Sequence, residues 1–197
     1  MKRTFKKNLL LVLFTMPLLV AFQCDDDFKP DEEVENLGLI EIEENKRTFS
    51  VGQSILINTT ISNQQTTIDG KTINLNDYMF RDESDLSYDL QINKIGLNDE
   101  ETPYFVTKVQ EIEGSIFIQD QSPFFDIISP YSETNSSFSS KIRIELTEVG
   151  TYVLKTGVIR NKTHIVSFDV RSNLGTLLMT TNIANSDNEG VYTFTVE

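Results

Sequence analysis

The stretch Ser54-Ile55-Leu56-Ile57-Asn58-Thr59-Thr60-Ile61 decides the fold. Successive side chains of an extended chain point to opposite faces, so Ile55, Ile57, Thr59 and Ile61 share one side and Leu56, Asn58 and Thr60 the other. A run rich in β-branched residues that alternates in this way reads as a strand burying one face. Just beyond it, Ile68-Asp69-Gly70-Lys71 sets an Asp-Gly step between β-capable flanks. This predicts a hairpin over residues 66–73 with a type I′ turn, in which both central residues take positive φ.

The same period of two recurs along the chain, in Tyr88, Leu90 and Ile92; Tyr104 and Val106; Ile116 and Ile118; and Ile142, Ile144 and Leu146. It continues in Tyr152, Leu154 and Thr156; Val166, Phe168 and Val170; and Tyr192, Phe194 and Val196. No segment after Leu37 sustains a period of 3.6, so roughly nine to eleven strands are expected. One short helix, Leu75 to Arg81, is predicted behind Asn74 as a cap. Strands in this number point to an all-β chain, an antiparallel β-sandwich whose two sheets bury their apolar faces against each other. Residues 37–197 contain no linker-like composition and read as a single domain.

Leu146-Thr-Glu-Val-Gly150-Thr-Tyr152-Val-Leu resembles the corner that enters strand F of immunoglobulin-like sandwiches. The resemblance implies that the Tyr152 hydroxyl bonds back to the turn before it. Gly190-Val191-Tyr192 repeats the Gly-x-Tyr element and opens a terminal strand, Tyr192 to Val196. A single cysteine and no tryptophan remove the disulfide and buried indole of antibody domains, which leaves a cysteine-free sandwich.

Ahead of the sandwich stands a different kind of sequence. Lys2, Arg3, Lys6 and Lys7 precede the apolar run from Leu9 to Phe22, which ends at Gln23-Cys24 before Asp25, Asp26 and Asp27. This is the layout of a secretory signal peptide. A helix of this run would reach roughly 21 Å, short of the roughly 30 Å of a hydrocarbon core, and Pro17 weakens it further as a span. The placement of the only cysteine resembles the lipobox of bacterial lipoproteins, although Gln23 stands where most have a small residue. The resemblance implies cleavage after residue 23 and acylation of Cys24 as the mature N-terminus; no cofactor is expected from the rest of the chain. Asp25, Asp26 and Asp27 are similar to the acidic export signal of Bacteroidota outer-membrane lipoproteins, and they also read as a solvated spacer of repelling charges. Residues 24–36 are therefore expected to be a flexible tether, reaching up to about 40 Å.

The 197 residues carry 30 acidic and 17 basic side chains, a net charge of −13 that becomes −17 once the leader and its four cations are removed. Such a surface repels phosphate backbones, so no nucleic-acid partner is expected. A single histidine, His164, and a single cysteine leave no histidine-rich zinc site, and no serine-nucleophile or phosphate-loop motif is present. Parity puts His164 with Val166, Phe168 and Val170, as an ordinary strand-end residue. Acidic pairs such as Glu41 with Glu43 and Glu111 with Glu113 look like solvent faces. The loops at 98–101 and 186–190 match no calcium-binding spacing.

Ser122-Pro-Phe-Phe-Asp-Ile-Ile-Ser-Pro-Tyr131 gathers three aromatics between two prolines and reads as a loop, making Phe124, Phe125 and Tyr131 candidate ligand contacts. The combined expectation is a non-catalytic lipoprotein of the cell outer membrane. It would be anchored by lipid on Cys24, face the exterior, and have a protein or glycan partner. Two alternatives make different demands. A glycan-binding accessory of a nutrient-uptake system requires a flat aromatic platform near 122–131. A carboxylate-dependent hydrolase requires two acids facing each other in a cleft.

Overall fold

The computed structural model describes residues 30–79, 85–118, 122–156, 166–172, 174–187 and 190–197. The leader, Cys24, Asp25, Asp26, Asp27 and His164 lie outside them. The strands are β1 (Glu32–Glu35), β2 (Ile40–Ile42), β3 (Thr48–Phe49), β4 (Ser54–Ser62), β5 (Gln64–Thr66), β6 (Thr72–Asn74), β7 (Asp85–Ile95) and β8 (Glu101–Pro103), followed by β9 (Val109–Glu113), β10 (Ser115–Ile118), β11 (Phe124–Ser132), β12 (Ser137–Glu145), β13 (Gly150–Thr156), β14 (Val166–Ser172), β15 (Gly175–Thr181) and β16 (Tyr192–Val196).

They form a β-sandwich. One layer runs β2-β4-β12-β9 and the other β10-β11-β7-β13-β16-β3. The two are one folded sheet, because β11 belongs to both. It pairs with β7 from Phe124 to Pro130 and with β12 at Tyr131 and Ser132, turning the corner just after a proline that has no N–H for a ladder. A second crossing lies alongside. β9 pairs with β12 and β10 with β11, and only Gly114 separates them. At φ +71°, a Cβ on Gly114 would stand 2.4 Å from the Ile128 carbonyl oxygen and 2.9 Å from the Ser140 Cβ, so a bare backbone is required where the chain turns over the corner.

Period-two alternation fills the core as expected. Ile55, Ile57 and Ile61 of β4 face Tyr88, Leu90 and Ile92 of β7, with Ile142, Ile144, Leu154, Tyr192 and Phe194 in the same buried cluster. Tyr152 is 1% exposed, stacks on Phe194 with ring centroids 5.5 Å apart, and meets Tyr104 edge-on at 5.3 Å. Its hydroxyl donates to the Glu148 carbonyl at 2.9 Å, which is the corner bond the resemblance implied. Tyr192, in the second Gly-x-Tyr element, reaches elsewhere, to the Lys46 carbonyl at 3.0 Å. A polar seam ties the layers internally. Thr59 of β4 bonds the Tyr88 hydroxyl of β7, and Ser129 of β11 donates to Ser140 of β12 at 2.9 Å.

Several local expectations are corrected. The tether does not extend to residue 36: Glu32–Glu35 is a strand running parallel to β15, and Val34 is 2% exposed. It is also held by backbone and side-chain bonds. The Ile68 N–H donates to the Glu33 carbonyl at 2.9 Å, Lys71 pairs with Glu32, and the Asp31 carboxylate accepts from the Thr176 N–H at 2.8 Å. That last bond holds the Asp31 carboxyl below its ordinary pKa. β16 and β3 form a second parallel pair, and Ile40 bridges Ile183 in parallel. The hairpin β5–β6 exists, but of its Asp-Gly pair only Gly70 takes positive φ, at +88°, and its N–H bonds the Thr67 carbonyl at 2.9 Å. That is a type I turn closed by a glycine bulge. The predicted helix is a single 3-10 turn, Leu75–Tyr78, capped from outside by the Asn63 side chain on the Asn76 N–H at 2.8 Å. Tyr104 and Val106 are buried but not in a strand, since pairing beside β7 stops at Pro103.

Candidate binding face

The proline-flanked segment 122–131 is mostly strand β11, which separates its aromatics. Phe125 points inward and is 2% exposed, so it is a core residue and is unavailable to a ligand. Tyr131, past the corner, is half-buried with its ring 5.0 Å from that of Phe138. Phe124 alone of the three candidates is open to solvent, at 38%.

Register places Phe124 in company that the sequence did not suggest. On the outer face of the second layer, Phe117 of β10 lies directly opposite Asp126 of β11, which lies opposite Asp89 of β7. Phe124 is two residues from Asp126 on that face and lies opposite Gln91. Phe117 is 57% exposed. Directly opposed residues have Cβ atoms about 5 Å apart, so the two carboxylates are close neighbours and the phenyl rings flank them on one side. Like charges so placed destabilise a sheet. Partial burial pushes the Asp126 carboxyl above its ordinary pKa, and the adjacent Asp89 charge adds to it. Lys155 of β13, across Gln91 from Phe124 and one row from the aspartates, is committed to Glu101, which also accepts the Asn93 amide at 2.6 Å.

The β10 border of this face is partly covered from β9. β9 carries a bulge at Ile112, between Glu111 opposite Ile142 and Glu113 opposite Lys141. The Glu111 carboxylate turns back to accept the Ile116 N–H of β10 at 2.9 Å, and Glu113 accepts the Ser139 hydroxyl. Bulges and charges of this kind keep an exposed edge from recruiting another strand. Glu111 and Glu113 are thus solvent-side structural groups, and Glu41 and Glu43 are likewise exposed.

A second concavity lies at the opposite end of β7, an open groove of about 430 Å³ beside Lys94, Tyr104, Phe105, Thr147 and Glu148. Its polar groups serve one another. The Tyr104 and Thr147 hydroxyls are 2.9 Å apart, and Lys94 pairs with Glu148 at 2.9 Å. The Asp99 turn at 98–101 joins β7 to β8, with the Asp99 N–H on the Gly96 carbonyl at 3.2 Å, and Asp187 accepts the Val191 N–H at 2.9 Å. Among the described residues no three acidic, histidine or cysteine side chains converge as a metal site requires.

No protein family matches the chain, and no curated protein does. Among solved structures it is similar to the human F-spondin reeler domain, at 10% identity and TM-score 0.38, over 88% of this chain and all of that one. It is also similar to the type II cohesin dyad from the adaptor ScaA scaffoldin of Acetivibrio cellulolyticus, at 9% identity and TM-score 0.35, over 79% of this chain and 50% of that one. At these values neither carries a role to this chain.

Proposed function

We propose that this chain is a non-catalytic binding module of the cell envelope, anchored in the outer membrane by lipid on Cys24 and displayed outward, and that it meets its partner through the outer face of β10, β11 and β7. The pairing of exposed phenyl rings with two opposed carboxylates on one sheet face carries this reading. Mixed apolar and charged surfaces held on rigid strands suit recognition, because little ordering entropy is lost on binding.

The anchored reading rests on the signal-like leader and on Asp25, Asp26 and Asp27 behind the cysteine. From Cys24 to Pro30 the chain spans at most about 20 Å, half the reach expected for a tether ending at residue 36, so the domain would stand close to the lipid. The glycan-accessory alternative loses its platform when Phe125 enters the core and Tyr131 packs on Phe138. A hydrolase would need walls that exclude water around its acids, whereas Asp89 and Asp126 lie on an open sheet.

Intact-mass measurement and protease shaving of whole cells test the proposal. Acylated protein that is cleaved from intact cells is the expected result. An unmodified polypeptide released into the medium would refute anchoring, and protection of the domain in intact cells would refute display.

A further inference from the structure

We infer that the outer face of β10, β11 and β7 docks an extended segment of a partner protein bearing lysine or arginine. One cation would seat between the Asp89 and Asp126 carboxylates, with its aliphatic stem along Phe117 and Phe124. This rests on the reading of the face as the binding surface and names the chemistry of its partner.

Neither carboxylate has a hydrogen bond or ion pair with any described residue, although Lys155 is the described cation nearest in register. Other carboxylates near β7 and β1 are taken by cations: Glu32 by Lys71, Glu148 by Lys94, Glu101 by Lys155. Asp89 and Asp126 are set opposite each other and partly desolvated, where an added cation gains most. The upward shift of Asp126 is the same effect seen from the proton's side. Phenyl faces accept a methylene stem and attract a cation at their π surface. The row Phe117, Asp126, Asp89 crosses three strands, about 10 Å.

Charge selects among possible occupants. A second copy of this chain would bring the same two carboxylates and, without the leader, a net charge of −17 to the contact. A neutral glycan would leave the carboxylate repulsion uncompensated. Strand addition at the border is disfavoured by the Glu111 carboxylate, which takes the outward Ile116 N–H.

The test is anisotropy titration of the full chain with a labelled peptide of alternating lysine and threonine. The variants are D89N/D126N, F117S/F124S and the control D99N/E100Q, which removes two charges from the β7–β8 turn. Both face variants should weaken binding about tenfold or more, while the control changes it less than about twofold. Equal loss in the control would reduce the effect to general attraction and overturn the proposal. So would binding of a neutral oligosaccharide that the face variants abolish, or a concentration-dependent dimer that F117S/F124S dissolves. Thermal unfolding adds a readout that needs no ligand. D126N should melt above the wild type, and an unchanged or lower midpoint would mean the pair is already compensated within the chain. Failure of peptide binding in a chain that is still acylated and shaved from cells would remove this partner and leave the anchored module standing.

Discussion

The Tyr88 hydroxyl should set the alkaline limit of the fold. It lies between the two layers, bonded to Thr59 and Ser140, and burial pushes its pKa up to about 12 from 10.0. The unfolded chain therefore releases this proton first. Below pH 10 both states hold it and stability is unaffected. Between pH 10 and 12 the folded state alone keeps it, so stability falls as pH rises, by a total of about 2.7 kcal/mol for a shift of two units. Tyr88→Phe removes the titration and also a buried hydrogen bond, at a cost of about 1 kcal/mol at neutral pH. The two stability curves should cross near pH 11, where the wild type has lost about that amount. Urea unfolding followed by far-UV circular dichroism at stepped pH measures this. Burial also raises Tyr152 and Tyr192, so the wild-type curve alone is composite and the difference from the variant isolates Tyr88. Parallel curves through pH 12 would refute the reasoning.

Gly114→Ala should destabilise by about 3 kcal/mol in urea titrations. A Cβ would run into the Ile128 carbonyl, and φ +71° is itself strained for alanine. Tyr152→Phe should cost about 1 kcal/mol by losing the bond to Glu148, with the Phe194 stack and the near-UV spectrum of the core preserved.

Alternation made the strand interiors legible in the sequence. The parity of β4, β7, β12, β13 and β16 predicts most of the buried side chains, while Leu56, Asn93 and Val153 are buried on the opposite parity. The Tyr152 corner was legible because its bond is local, four residues back. Partners were not legible. β1 and β3 are short and pair in parallel with strands more than a hundred residues away, which leaves no trace in the neighbouring sequence, and acidic Glu32, Glu33 and Glu35 resemble a tether. The misreading of Phe125 was avoidable. Phe125, Ile127 and Ser129 alternate with Phe124, Asp126 and Ile128, but the flanking prolines drew the segment towards a loop. The candidate face itself was invisible for a different reason. Asp89, Phe117 and Asp126 come from three strands, and only register assembles them.

The parallel pairing of β1 with β15 acts as a clasp between the two ends of the domain. Asp31 bonds Thr176, 145 residues later, and Arg47 reaches the Thr193 carbonyl, 146 residues later. A ribosome adding about 5 to 20 residues per second leaves the first half of this clasp waiting roughly 7 to 30 seconds for the second. During that interval the nascent thread cannot finish its tertiary structure, however favourable its early hairpins.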